Sequence, residues 1–245
     1  QQTLQLIRVV VQVVEERVVR EDPTLREAVL LYSREIAFSA ADVYAKAAEA
    51  RGLWDARLEA LVVDSILSGE HTDDISSRVA ALGWRATGAA LVLIGNGDAN
   101  LDSDQLRRIA RKSEADVLIG VHGDRLIVVI GKVSKAASER SAGSFASIVS
   151  LLEPFFAPGA LVVGPVVRDV SAAHNSARAA LSAFAVLRNA SKLQRITQAD
   201  DVLAERALAG DALAKQTLVE KIYKPLAENS AELLDTLVAY LDCGR

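Results

Sequence analysis

Apolar positions in the first 83 residues recur with helical spacing. Leu4, Ile7, Val11, Val14 and Val18 step by three and four, a heptad-like seam, and Leu6, Val10 and Val13 widen it. So many valines also suit a strand, but about twenty residues without Gly or Pro favour a helix. A stripe this wide needs covering by another helix, from this chain or a second copy, and the seam residues are the expected self-association surface. Asp22-Pro23 supplies an N-cap and a proline at the first helical position. Leu25, Ala28, Val29, Tyr32, Ile36, Val43, Tyr44 and Ala47 continue a helical face, with Gly52 as its predicted stop. A third helix is predicted from Trp54 to Leu67, buried through Leu58, Leu61, Val62 and Ile66 and ended by Gly69. A short fourth helix, Asp74 to Leu82, ends at Gly83.

After Gly83 the period changes. Ala89-Ala-Leu-Val-Leu-Ile94 is a short apolar run between glycines, the mark of a buried strand. Asp102 can cap a helix running through Lys112. Val117–Val121 and Leu126–Ile130 read as two strands joined by His122-Gly-Asp-Arg125, which is hairpin chemistry. Lys132 to Gly143 is polar and small, a predicted loop. A helix near Ser144–Phe155, a strand at Ala160–Val163, an alanine-rich helix at Ser171–Ala190 and an edge strand within 193–198 follow. From Asp200 the pattern is helical again, with Asp201, Asp211 and Asn229 as N-caps and Gly210, Pro225 and Gly244 as stops. The middle order, strand–helix–strand–strand–helix–strand, predicts an α+β fold: a ferredoxin-like βαββαβ domain, its antiparallel sheet backed by helices on one face. Three segments result: an N-terminal helical region (1–83), the α+β domain (84–199) and a C-terminal helical segment (200–245).

The 245 residues are 51% hydrophobic and 24% charged, a globular composition long enough to bury a core without disulfides. Net charge is −4, so there is no basic excess for nucleic acid or an anionic membrane. The chain has no Met and opens Gln1-Gln2, which points to a piece of a longer chain. No leader is legible and no apolar run approaches ~18 residues, so a cytoplasmic protein is expected, without membrane contact.

Candidate chemistry is sparse. Asp98, Asn100 and Asp102 stand at positions 1, 3 and 5 of a calcium loop, but position 6 is Ser103 and position 12 is Ile109. A polar strand-to-helix loop is the better reading, and no metal is expected. His71, His122 and His174 lack metal-ligand spacing and read as solvated, while Cys243 reads as a packed thiol. Arg107, Arg108, Arg111 and Lys112 form a basic run on one helix. It reads first as a solvated face, and second as the one candidate effector site, able to meet phosphates.

Several stretches resemble PucR/CdaR-type transcriptional regulators. Arg57-Leu-Glu-Ala-Leu-Val-Val-Asp-Ser-Ile-Leu-Ser-Gly69 is similar to the helix opening that family's central domain, and Asp116–Gly131 to a hairpin of its middle domain, related to GGDEF-type nucleotide cyclases. Leu203-Ala-Glu-Arg-Ala-Leu-Ala-Gly-Asp211, Thr217-Leu-Val, Tyr223-Lys-Pro-Leu226 and Leu233–Leu241 resemble the segment that leads to a C-terminal helix-turn-helix. The resemblance covers about residues 53–245 and is strongest to the actinobacterial branch that governs mycolic-acid and fatty-acid biosynthesis genes. It implies a homo-oligomeric, effector-responsive core, a long-chain acyl-CoA as effector, and DNA binding through a module beyond residue 245. The charge balance agrees: 215–245 holds Lys215, Lys221, Lys224 and Arg245 against Glu220, Glu228, Glu232, Asp235 and Asp242, no surface for reading DNA.

An active cyclase holds a divalent metal with carboxylates after the first strand and in a Gly-Gly-Asp/Glu-Glu-Phe hairpin. Here Asp98 arrives late and the hairpin offers only Asp124, beside the cation Arg125. A cyclase-like domain without catalytic residues or cofactor is therefore expected. An active nucleotide enzyme and a ligand-free dimerisation scaffold are the alternatives.

Overall fold

The computed structural model describes residues 8–14, 16–17, 22–69, 72–98, 100–133, 143–187, 195–229 and 231–243. The chain divides into two compact units, Gln1–Arg57 and Leu58–Arg245.

The first unit is helical wherever it is described. Residues 8–14 and 16–17 are helix, with Val11 and Val14 half-buried and Val9, Val10 and Val13 exposed. Leu4, Ile7 and Val18 of the seam lie outside the described residues. Asp22 starts the next helix as its sequence predicts. Its Oδ1 accepts from the Thr24 hydroxyl at 2.6 Å and the Thr24 N–H at 2.9 Å, and these bonds hold its carboxyl below the usual carboxylate range. One 3₁₀ turn, Pro23–Leu25, leads into α1, Arg26–Ser68. The two helices predicted on either side of Gly52 are this single helix. Glycine inside a helix costs only about 1 kcal/mol against alanine, which long flanks of good helix formers outweigh. Gly69, with φ +72°, is the actual terminator.

The second unit is built on a five-stranded sheet. Its elements are the end of α1, α2 (Thr72–Ala81), β1 (Ala90–Asn96), α3 (Ser103–Lys112), β2 (Ala115–His122), β3 (Arg125–Lys132), α4 (Gly143–Leu152), β4 (Leu161–Val163), α5 (Ala173–Leu187) and β5 (Ile196–Gln198). The strand order is β2-β3-β1-β4-β5. β3 runs antiparallel to β2 and β1, β4 antiparallel to β1, and β5 parallel to β4. The first four strands are the predicted split βαβ arrangement.

One expectation is corrected: the sheet is covered by helices on both faces. Val92, Ile94, Leu118, Ile127, Val129 and Val162 form one core with Val62, Val63 and Ile66 of α1, Ile75 and Val79 of α2, and the alanine face of α5. Leu91, Leu93, Leu126, Val128, Ile130 and Val163 form the other with Leu106 of α3 and Phe145, Ile148 and Leu152 of α4. Strands with two dry faces need apolar residues at every position, which explains the unbroken runs Leu91–Ile94 and Leu126–Ile130. The approach of α1 depends on Gly120 in β2, where a Cβ would stand 2.6 Å from Cγ1 of Val63.

Glu114, between α3 and β2, has φ +53°. A side chain costs about 1–2 kcal/mol in this left-handed region, and glycine does not pay that steric cost. Glu114→Gly should raise stability by up to about 1 kcal/mol, read as a higher urea midpoint at unchanged m-value. An unchanged or lower midpoint would refute the strain.

Beyond β5 the chain forms a 3₁₀ turn (Ala199–Val202), α6 (Leu203–Leu208), α7 (Ala212–Leu218), a π-helical turn (Val219–Tyr223), α8 (Lys224–Asn229) and α9 (Ala231–Cys243). Gly210, φ +98°, ends α6, and Asp211 caps α7 through the N–H groups of Leu213 and Ala214. Pro225 is not a stop. It sits in the first turn of α8, where a missing N–H is tolerated. Asp201 is the return member of a capping box with Gln198 and not the N-cap itself. Gly244 and the Asn229 side chain lie outside what is described.

Candidate functional site

The β2–β3 hairpin ends the sheet in a two-residue turn, Gly123-Asp124, with His122 paired to Arg125. Gly123 takes φ +65°, as the first position of a type II′ turn requires. The end of β1 is tied to it: Asn96 pairs with Arg125, and the Gly97 N–H donates to the Asp124 carbonyl at 2.8 Å.

Beside this hairpin lies a pocket of about 410 Å³. β2 and β3 contribute His122, Arg125 and Ile127, α1 contributes Asp64, Leu67 and Ser68, and α5 contributes Leu181. His122 Nδ1 stands 3.7 Å from Asp64 Oδ1 at the exposed rim. The Arg125 side chain is 30% exposed, and its guanidinium carbon lies 5.6 Å from the Phe184 ring centroid. Among the described residues its nearest carboxylate oxygen, on Asp124, is 3.9 Å away. A guanidinium so placed is partly stripped of water yet only loosely neutralised, the condition under which it attracts an anion. The apolar wall comes from Leu67, Ile127 and Leu181.

A second hollow, about 350 Å³, lies at the start of α3, lined by Asp98, Asn100, Asp102, Gln105, Leu151 and Phe155 among others. Its carboxylates have local tasks. Asp98 Oδ1 accepts from the Asn100 N–H at 2.9 Å, and Asp102 Oδ1 caps α3 through the Gln105 N–H at 2.8 Å. This is the loop-and-cap geometry the sequence favours over calcium. Among the described residues no group of three or more His, Cys, Asp or Glu side chains is placed to hold a metal ion.

The basic run is divided by its partners. Arg107 forms a two-armed pair with Glu59 of α1, at 3.0 and 2.5 Å, and Glu59 also accepts the Ile119 N–H of β2 at 2.8 Å. Arg108 reaches to 3.9 Å from Asp102, while Arg111 and Lys112 are exposed in the last turn of α3. His174 is half-buried, its Nδ1 3.4 Å from the Ser171 carbonyl, and His71 lies outside the described residues. Cys243 is exposed, not packed, because α9 leaves it uncovered.

Sequence reasoning missed a junction just past β5. Arg206 of α6 is 1% exposed. Its Nε and Nη2 donate to Asp211 Oδ2 at 3.1 and 2.9 Å, and its Nη1 donates to the Ala199 carbonyl at 2.9 Å. Burial alone would raise the Asp211 carboxyl. Hydrogen bonds from Ser182 of α5, Arg206 and the Ala214 N–H, with the Arg206 charge, bring it below the usual range. The pocket and this junction thus share α5: Leu181 lines one, Ser182 bonds the other.

Residues 68–186 match the family model described as a GGDEF-like domain. The chain is 36% identical to uncharacterized proteins of Mycobacterium bovis and of two strains of Mycobacterium tuberculosis; the match takes in 99% of this chain and 61% of each relative. The chain therefore spans about three fifths of the length of these relatives. Among solved structures, the regulator of polyketide synthase expression from Bifidobacterium adolescentis superposes with a TM-score of 0.57 at 24% identity, over 68% of this chain and 64% of that one. That likeness is one of fold. No helix among the described residues is long and apolar enough to cross a membrane. The α+β fold of this chain thus contains, across residues 68–186, a segment similar to GGDEF-like domains.

Proposed function

We propose that the chain is the ligand-responsive regulatory and oligomerisation core of a cytoplasmic transcriptional regulator of the PucR/CdaR type, not an enzyme. Its target genes on this reading are those of fatty-acid and mycolic-acid biosynthesis, its effector class is long-chain acyl-CoA, and DNA is met through a module outside this chain. The fold shared with a regulator of polyketide synthase expression supports the regulatory role.

The observation that carries the reading is the double duty of α5. A ligand beside the hairpin would bear on Leu181, one residue from the Ser182 that holds Asp211 and so the start of α7. Differential affinity for two settings of that junction is all that a switch requires.

The test is hydrogen exchange and thermal shift with acyl-CoAs of short, medium and long chain. Binding should raise Tm for one range of chain lengths and change protection across 203–229. No shift at any length would overturn the reading. So would cyclic or dinucleotide product formed from GTP or ATP with Mg²⁺, which would favour the nucleotide-enzyme alternative.

A further inference from the structure

We infer that the pocket beside the hairpin is a site for a compact organic carboxylate, an acid group on a short apolar body. The inference rests on the regulatory reading only in treating this pocket as an input; the chemistry comes from its walls. Arg125 supplies a planar guanidinium, which pairs with a carboxylate through two parallel hydrogen bonds. Its guanidinium carbon lies 5.6 Å from the Phe184 ring centroid, within cation–π range, and its Nε is 3.9 Å from Asp124 Oδ1, beyond hydrogen-bond distance. Around the cation, Leu67, Ile127 and Leu181 offer apolar surface without a charge among them. At the rim, Asp64 and His122 stand 3.7 Å apart, close enough to share a ligand hydroxyl as acceptor and donor.

Size narrows the class. A volume of about 410 Å³ lies near the lower end of the roughly 300–1,000 Å³ typical of small-molecule sites. It has room for the whole of a small acid but for only a part of a long-chain acyl-CoA, the rest of which would lie outside the pocket. Sign narrows it further: a cationic ligand would face Arg125, and a neutral one would leave the guanidinium with only the distant Asp124 as counter-charge on a drying surface.

The probes are octanoate, 3-hydroxyoctanoate, octyl phosphate and the neutral octanamide, titrated into the full chain by calorimetry. Octanoate should bind about tenfold or more tighter than octanamide, since the charge-assisted pair is lost in the amide. The 3-hydroxy acid should bind tighter still. Arg125→Gln should weaken octanoate about tenfold and leave octanamide unchanged, which also reports that the variant is folded. Leu181→Trp, which fills the cavity, should weaken every probe. Equal affinity for octanoate and octanamide, octyl phosphate preferred over both acids, or an unaltered octanoate affinity in Arg125→Gln would each overturn the inference. Hydrogen exchange separates the two readings. Carboxylate binding with no change across 203–229 keeps the site and sinks the regulatory reading. An acyl-CoA response without carboxylate binding does the reverse.

Discussion

Arg206→Ala is expected to destabilise the second unit by about 3–5 kcal/mol, the usual cost of leaving one member of a buried ion pair alone. The guanidinium it removes is 1% exposed and satisfies two groups, the Asp211 carboxylate and the Ala199 carbonyl. Asp211 would keep its bonds from Ser182 and the Leu213 and Ala214 N–H groups but lose its counter-charge, and the Ala199 carbonyl would lose the Nη1 donor. Asp211 also caps α7, so its loss of orientation would fray the helix that begins there. The pH dependence has a definite sign. Because the folded-state carboxyl of Asp211 is held low, its contribution is complete above the unfolded carboxylate value of about 3.9 and fades as pH falls through the lower folded one. The gap between wild type and Arg206→Ala should be widest near neutrality and narrow below about pH 4. Urea unfolding at a series of pH values measures it. A gap under about 1 kcal/mol at neutral pH would show that the junction is not the closed ion pair described here.

This junction also shows where sequence reading stops. Asp211 after Gly210 is legible as a cap, because capping is local. Arg206 reads as one more cation in a short polar helix; nothing within a turn of it reports that Ala199, Asp211 and α5 close over it. The same contrast holds through the fold. Strand order followed from the spacing of apolar runs and the hairpin chemistry of His122–Arg125, both local signals. Double coverage of the sheet was written in the unbroken runs of β1 and β3, but a βαββαβ order alone assigns helices to one face. Gly52 and Pro225 misled because a helix break is a matter of degree: glycine costs little in a long helix, and proline costs little in a first turn. The hairpin turn was visible, and the pocket beside it was not, since Asp64, Leu67 and Leu181 come to it from elements far away in sequence.

The basic run on α3 makes the same point as an experiment. Four cations at 107, 108, 111 and 112 look alike in sequence, but Arg107 reaches 48 residues back to Glu59, a carboxylate only 7% exposed. Glu59 in turn holds the Ile119 N–H of the edge strand β2, so one side chain fastens α1 to both α3 and the sheet. Arg107→Met should cost about 2 kcal/mol, less than a fully buried pair because its own side chain is 31% exposed and water can reach the exposed part. Glu59→Met should cost more, since it also strips Ile119 of its acceptor. The double variant should be less destabilised than the two single costs predict, with a coupling energy of about 2 kcal/mol from the cycle. Denaturant unfolding of the four proteins supplies every term. A coupling near zero would mean that Arg107 belongs with Arg111 and Lys112 as a solvated cation, free to meet an anionic ligand; the expected coupling makes it a brace instead.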